Sequence, residues 1–198
     1  HFIGFCNYWE VSMGAATAID GRWVAAPGEA LFAAVRGEVP GLQILAEDLG
    51  HLTPEVSALR DKFGFPGMKV AQFSFGGEDC ELPANWPEDC VGYTGTHDND
   101  TARAWFEEEE RAAFLSVTGG APEGASWAMV RQVWQSPART VLAPMQDLLD
   151  LGAEARMNHP GPLAGNWRWR MEPGSLTARL AGRLGTLTGA EGRAPEGA

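Results

Sequence analysis

Along the chain, apolar residues recur at helical spacing in some stretches and gather into short continuous runs in others. In PGEALFAAVRGEVPG (27–41), Leu31, Phe32, Val35 and Val39 share one helical face, and the segment closes at Pro40-Gly41. Leu42 to Ala46 follows as a brief apolar run between turn signals, which predicts a buried parallel strand, with Glu47 and Asp48 just past its end. TPEVSALRDKFGFPG predicts a helix with Thr53 as N-cap, Pro54 at its first position, Glu55 in the first turn and Gly64 as the stop. MKVAQFSF (68–75) predicts a strand, ELPANWPEDC an irregular loop, and VGYTG a third strand. A long helix is expected from Asp100 or Thr101 through AWFEEEERAAFLSV, then a helix in ASWAMVRQVWQS. RTVLAPM predicts a fourth strand leading into the turn QDLLDLG. SLTARLAGRLGTLTG predicts a last helix, EGRAPEGA a frayed tail, and Ser12 to Arg22 a polar, glycine-containing loop.

Helices and strands thus take turns at intervals that suit βα units. The pattern predicts an α/β fold with a parallel sheet, either open and doubly wound or closed as a barrel. Four such strands with right-handed crossovers would make half of an eight-stranded barrel. Composition agrees with a packed protein: 44% of the 198 residues are hydrophobic. The net charge of −11 argues against a nucleic-acid partner held through phosphates, even though GNWRWR (165–170) interleaves aromatic and basic residues. No run approaches the ~18 apolar residues of a membrane span. Cys6, Cys80 and Cys90 are an odd number without C-x-x-C spacing, which points to thiols in a reducing cytoplasm. The chain opens HFIGFCNYWE, without a Met and in the middle of an element, so a fragment of a longer protein is expected.

The polar residues fall in one kind of place. Glu47-Asp48, the block Thr96 to Asp100 and the pair Gln146-Asp147 each lie just beyond the C-terminal end of a predicted strand, the edge where parallel α/β folds build ligand sites. A carboxyl at Glu47, leaving a dry strand end, would be desolvated and suited to general acid work; equally, Glu47 or Asp48 could cap a loop or pair with an Arg. Asp100 directly precedes the helical run and fits an N-cap, which leaves Asp98 without a local task. A metal site is disfavoured, because DNDT lacks the glycine and distal Glu of a calcium loop and the four His show no His-x-x-x-His pairing. Among eight Trp, the loop residues Trp9, Trp86 and Trp167 could stack on a sugar ring, whereas Trp105, Trp127 and Trp134 sit at helical core positions.

AEDLG, TPEVSALRDKFGFPGMKVAQF, GYTGTHDNDT, PMQDLL, EARMNHPG and GNWRWR, in that order, resemble the 4-α-glucanotransferases called amylomaltases or disproportionating enzymes (glycoside hydrolase family 77) of the α-amylase-like clan. The resemblance runs from His1 to about Arg193. It implies that residues 1–173 form the C-terminal half of a catalytic (β/α)8 barrel, strands five to eight, with 174–198 as a C-terminal helix and tail. It implies a retaining transfer of α-1,4-glucan segments to glucose or another glucan, in the cytoplasm, on maltooligosaccharides, starch or glycogen-type glucans, without a cofactor. Glu47 would be the acid/base and Asp98 the transition-state stabiliser. His97 would bind sugar at the cleavage subsite, with Trp9, Asn99 and Asn158 as further substrate contacts. The family's nucleophile, the Asp of an Arg-x-Asp-His-Phe motif, would immediately precede His1. A retaining mechanism needs two carboxyls about 5–5.5 Å apart, so the piece alone, lacking also the N-terminal half of its barrel, is expected to be inactive and poorly soluble. The chain departs from the family pattern at Ile3, around Ala84-Asn85-Trp86 and in a shortened loop from Gly76 to Cys90, which bears on acceptor contacts. A hydrolase of the same clan and a non-catalytic glucan-binding module are the competing readings.

Overall fold

Proline and glycine bracket the helices of the N-terminal unit as expected. In the computed structural model, which describes residues 1–50, 52–75, 80–108, 112–162 and 164–194, the chain divides into units His1–Met68 and Lys69–Ala198. In the first unit, α1 (Gly28–Glu38) turns Phe32 inward and α2 (Pro54–Lys62) turns in Val56 and Leu59. Thr53 holds the N-cap position with extended backbone but makes no side-chain capping bond. At the other end of α2, Gly64 takes φ of 64°. Its N–H donates to the Asp61 carbonyl and that of Phe65 to the Arg60 carbonyl. That crossed pair of bonds is a Schellman closure, which a left-handed glycine makes without a Cβ clash. Phe2, Phe32, Phe63 and Phe65 then form an aromatic core with Ala46, Val56 and Leu59, the Phe32 and Phe65 rings meeting edge to face at 5.0 Å.

Residues flanking the Ser12–Arg22 loop pair as an antiparallel hairpin, β1 (Asn7–Glu10) with β2 (Arg22–Ala25), in the register Trp9↔Trp23. The strand expected at Leu42–Ala46 does not form. Its residues do show a two-residue burial rhythm, with Ala46 and Asp48 inside and Leu45 and Glu47 outside. No ladder accompanies it: the Ala46 N–H donates to the Pro66 carbonyl and the Phe2 N–H to the Glu47 carbonyl, isolated bonds where a strand needs a series.

A second sheet runs in the order β3-β4-β5. These are β3 (Gly67–Val70), β4 (Cys90–Tyr93) and β5 (Thr140–Leu142). β4 and β5 are parallel, with Gly92 opposite Val141. Among the described residues the sheet therefore has three strands where four were expected. β3 also ends sooner than its apolar run, because Ala71–Phe73 coils into a 3-10 turn. That turn brings the buried Gln72 amide to the Asp100 carbonyl at 2.7 Å. α5 (Ala125–Gln135) is the central helix, burying Trp127, Val130, Val133 and Trp134. Phe114 of α4 (Ala112–Thr118) and Leu187 of α7 (Ala178–Ala190) join the same core. Trp105 packs against it from the partly buried side, and Trp86 is wholly inside it. Trp105, Trp127 and Trp134 are core residues as expected, whereas Trp86 is corrected from loop platform to core: its indole N–H is satisfied by the Glu81 carbonyl and its ring lies against Gly92. The long helix expected after Asp100 is seen as α3 (Ala102–Glu108) and α4, the intervening residues 109–111 lying outside the described residues. α7 begins at a true cap, the Thr177 hydroxyl accepting the Leu180 N–H. Beyond its end, the Arg193 guanidinium donates to the carbonyls of Trp134, Ser136 and Ala138 at the exit of α5.

Candidate active site

Because β4 and β5 run parallel, the loops leaving their C-terminal ends emerge on one edge of the sheet. The first carries Thr94 to Thr101. The second passes Pro144 into the single-turn helix α6 (Met145–Leu148). Thr96, His97, Asn99 and Asp100 of the first polar block and Gln146-Asp147 of the second accordingly line one cleft of about 190 Å3 together with Pro144, Arg156 and Trp167.

At its floor is Asp147, 1% exposed. One carboxylate oxygen accepts the Thr94 hydroxyl at 2.5 Å and the other the Ala102 N–H at 2.7 Å, so this side chain ties the end of β4 to the start of α3. Burial pushes its pKa from 3.8 up to about 6; the bonds from Ala102 and Thr94 oppose the rise, and the charges of Asp150 and Asp100 add to it.

The helix cap expected of Asp100 belongs to its neighbour. The Thr101 hydroxyl accepts the Ala104 N–H at 3.2 Å. Asp100 instead faces Arg156, whose guanidinium lies 3.0 Å from its carboxylate. The same fork donates to the carbonyls of Asp98 at 2.8 Å and Asn158 at 3.0 Å. One Arg thus fastens the HDND loop to the segment carrying Asn158, a geometry that a planar multi-donor group permits. Sequence reading gave Arg156 no part, since its partners lie far away in the chain.

Above this base stand the expected site residues of the second unit. Asp98 is half exposed and accepts a hydrogen bond from the Asn158 side-chain amide. His97 Nε2 is 3.5 Å from Asp98 Oδ1. The Asn158 N–H donates to the His97 carbonyl at 3.1 Å. Asn99 closes the turn from within, its side-chain oxygen accepting the Thr96 N–H and hydroxyl at 2.9 and 2.8 Å. The Trp167 ring lies tilted against the His97 ring, their centroids 5.0 Å apart. The structure therefore brings His97, Asp98, Asn99 and Asn158 into one constellation: His97, Asn99 and the Trp167 ring line the open cleft, and the accessible Asp98 carboxylate and the Asn158 amide join it through His97. Such a set can hydrogen-bond sugar hydroxyls while presenting negative charge to a cationic transition state.

Glu47 and Trp9 belong to the first unit. Glu47 is 52% exposed, not desolvated as expected, because the alternation of its segment turns Ala46 and Asp48 inward and Glu47 out. Asp48 takes the structural role: 4% exposed, it pairs with Arg60 and accepts the Met68 N–H at 2.7 Å. Trp9 meets Trp23 edge to face at 5.4 Å, its indole N–H donating to the Ala18 carbonyl at 2.8 Å.

Comparison with known proteins bears on what this arrangement serves. Residues 1–177 match the profile of a family described as 4-alpha-glucanotransferase. The chain is 45% identical over 202 residues to a 4-alpha-glucanotransferase of Clostridium butyricum, aligning 98% of this chain with 41% of that one. It is 47% identical over 209 residues to a 4-alpha-glucanotransferase of Thermus thermophilus, with the same two coverages. Among solved structures, the amylomaltase from Streptococcus agalactiae in complex with acarbose superimposes with a TM-score of 0.91 at 36% identity, over 98% of this chain and 41% of that one. The chain thus spans about two fifths of the length of the relatives it matches.

Proposed function

The chain belongs to the 4-alpha-glucanotransferase family, and from that membership we propose that the complete protein moves a segment of an α-1,4-glucan onto the 4-hydroxyl of glucose or another glucan. In this reading, β3, β4 and β5 contribute to the C-terminal half of a (β/α)8 barrel extending over residues 1–173, followed by a C-terminal helix and tail, 174–198. Donor and acceptor are maltooligosaccharides or longer starch- or glycogen-type glucans, and the chemistry requires no cofactor.

The observation that carries the reading is the cluster of His97, Asp98 and Asn158, which Arg156 holds and which meets the open cleft through His97 beside Trp167. Asp98 is accessible and already oriented by an amide, as a carboxylate must be to face positive charge developing at an anomeric carbon. His97 and Asn158 offer donors to the hydroxyls of that sugar, and Asn99 keeps the turn in shape. Glu47 protonates the departing glycosidic oxygen, then takes a proton from the incoming 4-hydroxyl. The attacking carboxylate is assigned by the resemblance to the position preceding His1. Trp9 offers a stacking face to glucan. Transfer prevails over hydrolysis when an acceptor sugar, not water, occupies the site during the second step.

Incubation of the complete protein with maltotriose tests this. Glucose together with oligosaccharides longer than maltotriose is the expected result, and Glu47→Gln should reduce the rate by about 10²–10⁴-fold, the range for loss of a general acid/base. Glucose without longer products would replace the reading by hydrolysis. Maltooligosaccharide binding without turnover would replace it by a binding module.

A further inference from the structure

Trp167 has a positive φ of 61° and is one of three non-glycine residues with positive φ among the described residues. A bulky L-residue is unfavourable there, and persists only where its surroundings over-determine it. Here they do so on every side. The Trp167 N–H donates to the Met157 carbonyl at 2.7 Å. Its carbonyl accepts from the Arg170 guanidinium at 3.0 Å. Just before it, the Asn166 side chain accepts the His159 N–H at 2.9 Å and donates to the carbonyls of His159 and Pro162 at 3.0 and 3.3 Å. Glycine would make this bend without strain, so the backbone alone gives no reason for an indole at the position.

What the indole touches supplies one. Its ring lies 5.0 Å from the His97 imidazole at 36° between planes. The juxtaposition is built through the residues between: Met157 accepts from Trp167, while the next residue, Asn158, donates its N–H to the His97 carbonyl. His97 itself is fixed by its backbone but not by its ring. Nε2 is 3.5 Å from the nearest Asp98 oxygen, longer than a hydrogen bond, and no hydrogen bond to the ring is present among the described residues. An imidazole so placed is free to turn about its Cβ–Cγ bond unless a flat neighbour restricts it.

We propose, resting on the glucan-transfer reading, that Trp167 is a positioning residue that fixes the plane of the His97 imidazole beside Asp98, and that its strained backbone is retained for this purpose. Trp167 is itself 53% exposed, so the same indole is also an edge of the cleft that a glucosyl ring would meet.

The test uses Trp167→Gly and Trp167→Phe in the complete protein. In Trp167→Gly the backbone strain is relieved and only a half-exposed ring is lost, so thermal stability should equal or exceed that of the parent. Its kcat/KM on maltotriose should fall about three- to tenfold, the size of an aromatic contact, with the loss chiefly in kcat. The proton resonance of the His97 ring, assigned by comparison with His97→Asn, should lose the ring-current shift imposed by the indole. Trp167→Phe should keep most of the activity. A Trp167→Gly protein that is less stable and fully active, or a His97 resonance that does not move, would overturn the proposal. If the parent protein forms no longer oligosaccharides from maltotriose, the transfer reading fails, and the resonance and stability measurements still decide whether the indole orients His97.

Discussion

Replacing Asp147 by Asn separates the charge of this carboxylate from its hydrogen bonds. The side chain is almost wholly buried, with a pKa raised from 3.8 to about 6, chiefly by desolvation. Below pH 3.8 it is protonated in the folded and unfolded chains alike, and adds nothing to the pH dependence. Between 3.8 and about 6 the unfolded chain releases the proton while the folded chain keeps it, so stability falls as pH rises. Above about 6 the full penalty is in place: at 1.36 kcal/mol per pKa unit, a rise from 3.8 to about 6 is about 3 kcal/mol. Asn has nearly the same shape, and its oxygen can accept the Ala102 N–H while its amide donates to the Thr94 hydroxyl, which reverses its role. Urea unfolding of the complete protein should therefore show Asp147→Asn matching the parent near pH 4 and exceeding it by about 2–3 kcal/mol at pH 8. Asp147→Ala should be destabilised at both pH values, because the Ala102 N–H and the Thr94 hydroxyl then lose their partner, at about 1–3 kcal/mol each. An Asn variant that keeps the parent's pH profile, or loses as much stability at pH 8 as the Ala variant, would refute the reasoning.

Lysine at position 156 keeps the charge but not the fork joining Asp100 to the Asp98 and Asn158 carbonyls, so Arg156→Lys should lower kcat/KM on maltotriose about ten- to a hundredfold; activity within twofold of the parent would show that the fork is dispensable. Asp48→Ala leaves the Met68 N–H without its acceptor and Arg60 with only the exposed Asp61, and a loss of about 1–3 kcal/mol is expected by chemical denaturation. In Gly92→Ala the new methyl would lie 2.6 Å from Cζ3 of the buried Trp86, so about 1–3 kcal/mol should be lost, visible as a lower Tm; an unchanged Tm would mean that this contact yields freely.

Local signals predicted local structure well. Pro54 and Gly64 delimit α2, the helix expected in SLTARLAGRLGTLTG forms as α7, and the apolar face of α5 is the centre of the core. Where pairing across the chain decides, the same signals misled. Leu42–Ala46 has a strand's composition, and its burial alternates, but no ladder of bonds runs along it. Asp100 looked like a cap because it stands before a helix; its partner Arg156, 56 positions on, could not be seen in any window around it. For the site, placement past strand ends was enough to single out Thr96–Asp100 and Gln146-Asp147, because parallel neighbours must open their loops on one side. The burial of Asp147 depends on Thr94 and Ala102, more than forty positions away, and nothing in the sequence around it encodes that.

Arg193 lies past residue 177, where the match to the family profile ends, yet it fastens the exit of α5 through the carbonyls of Trp134, Ser136 and Ala138. Anyone trimming the chain to its recognised family segment would discard α7 and Arg193 with it, stripping Leu187 from the core and the Thr188 hydroxyl from the Trp134 indole. The boundary drawn by sequence likeness and the boundary drawn by folding fall at different residues, and for recombinant expression the second is the one to respect.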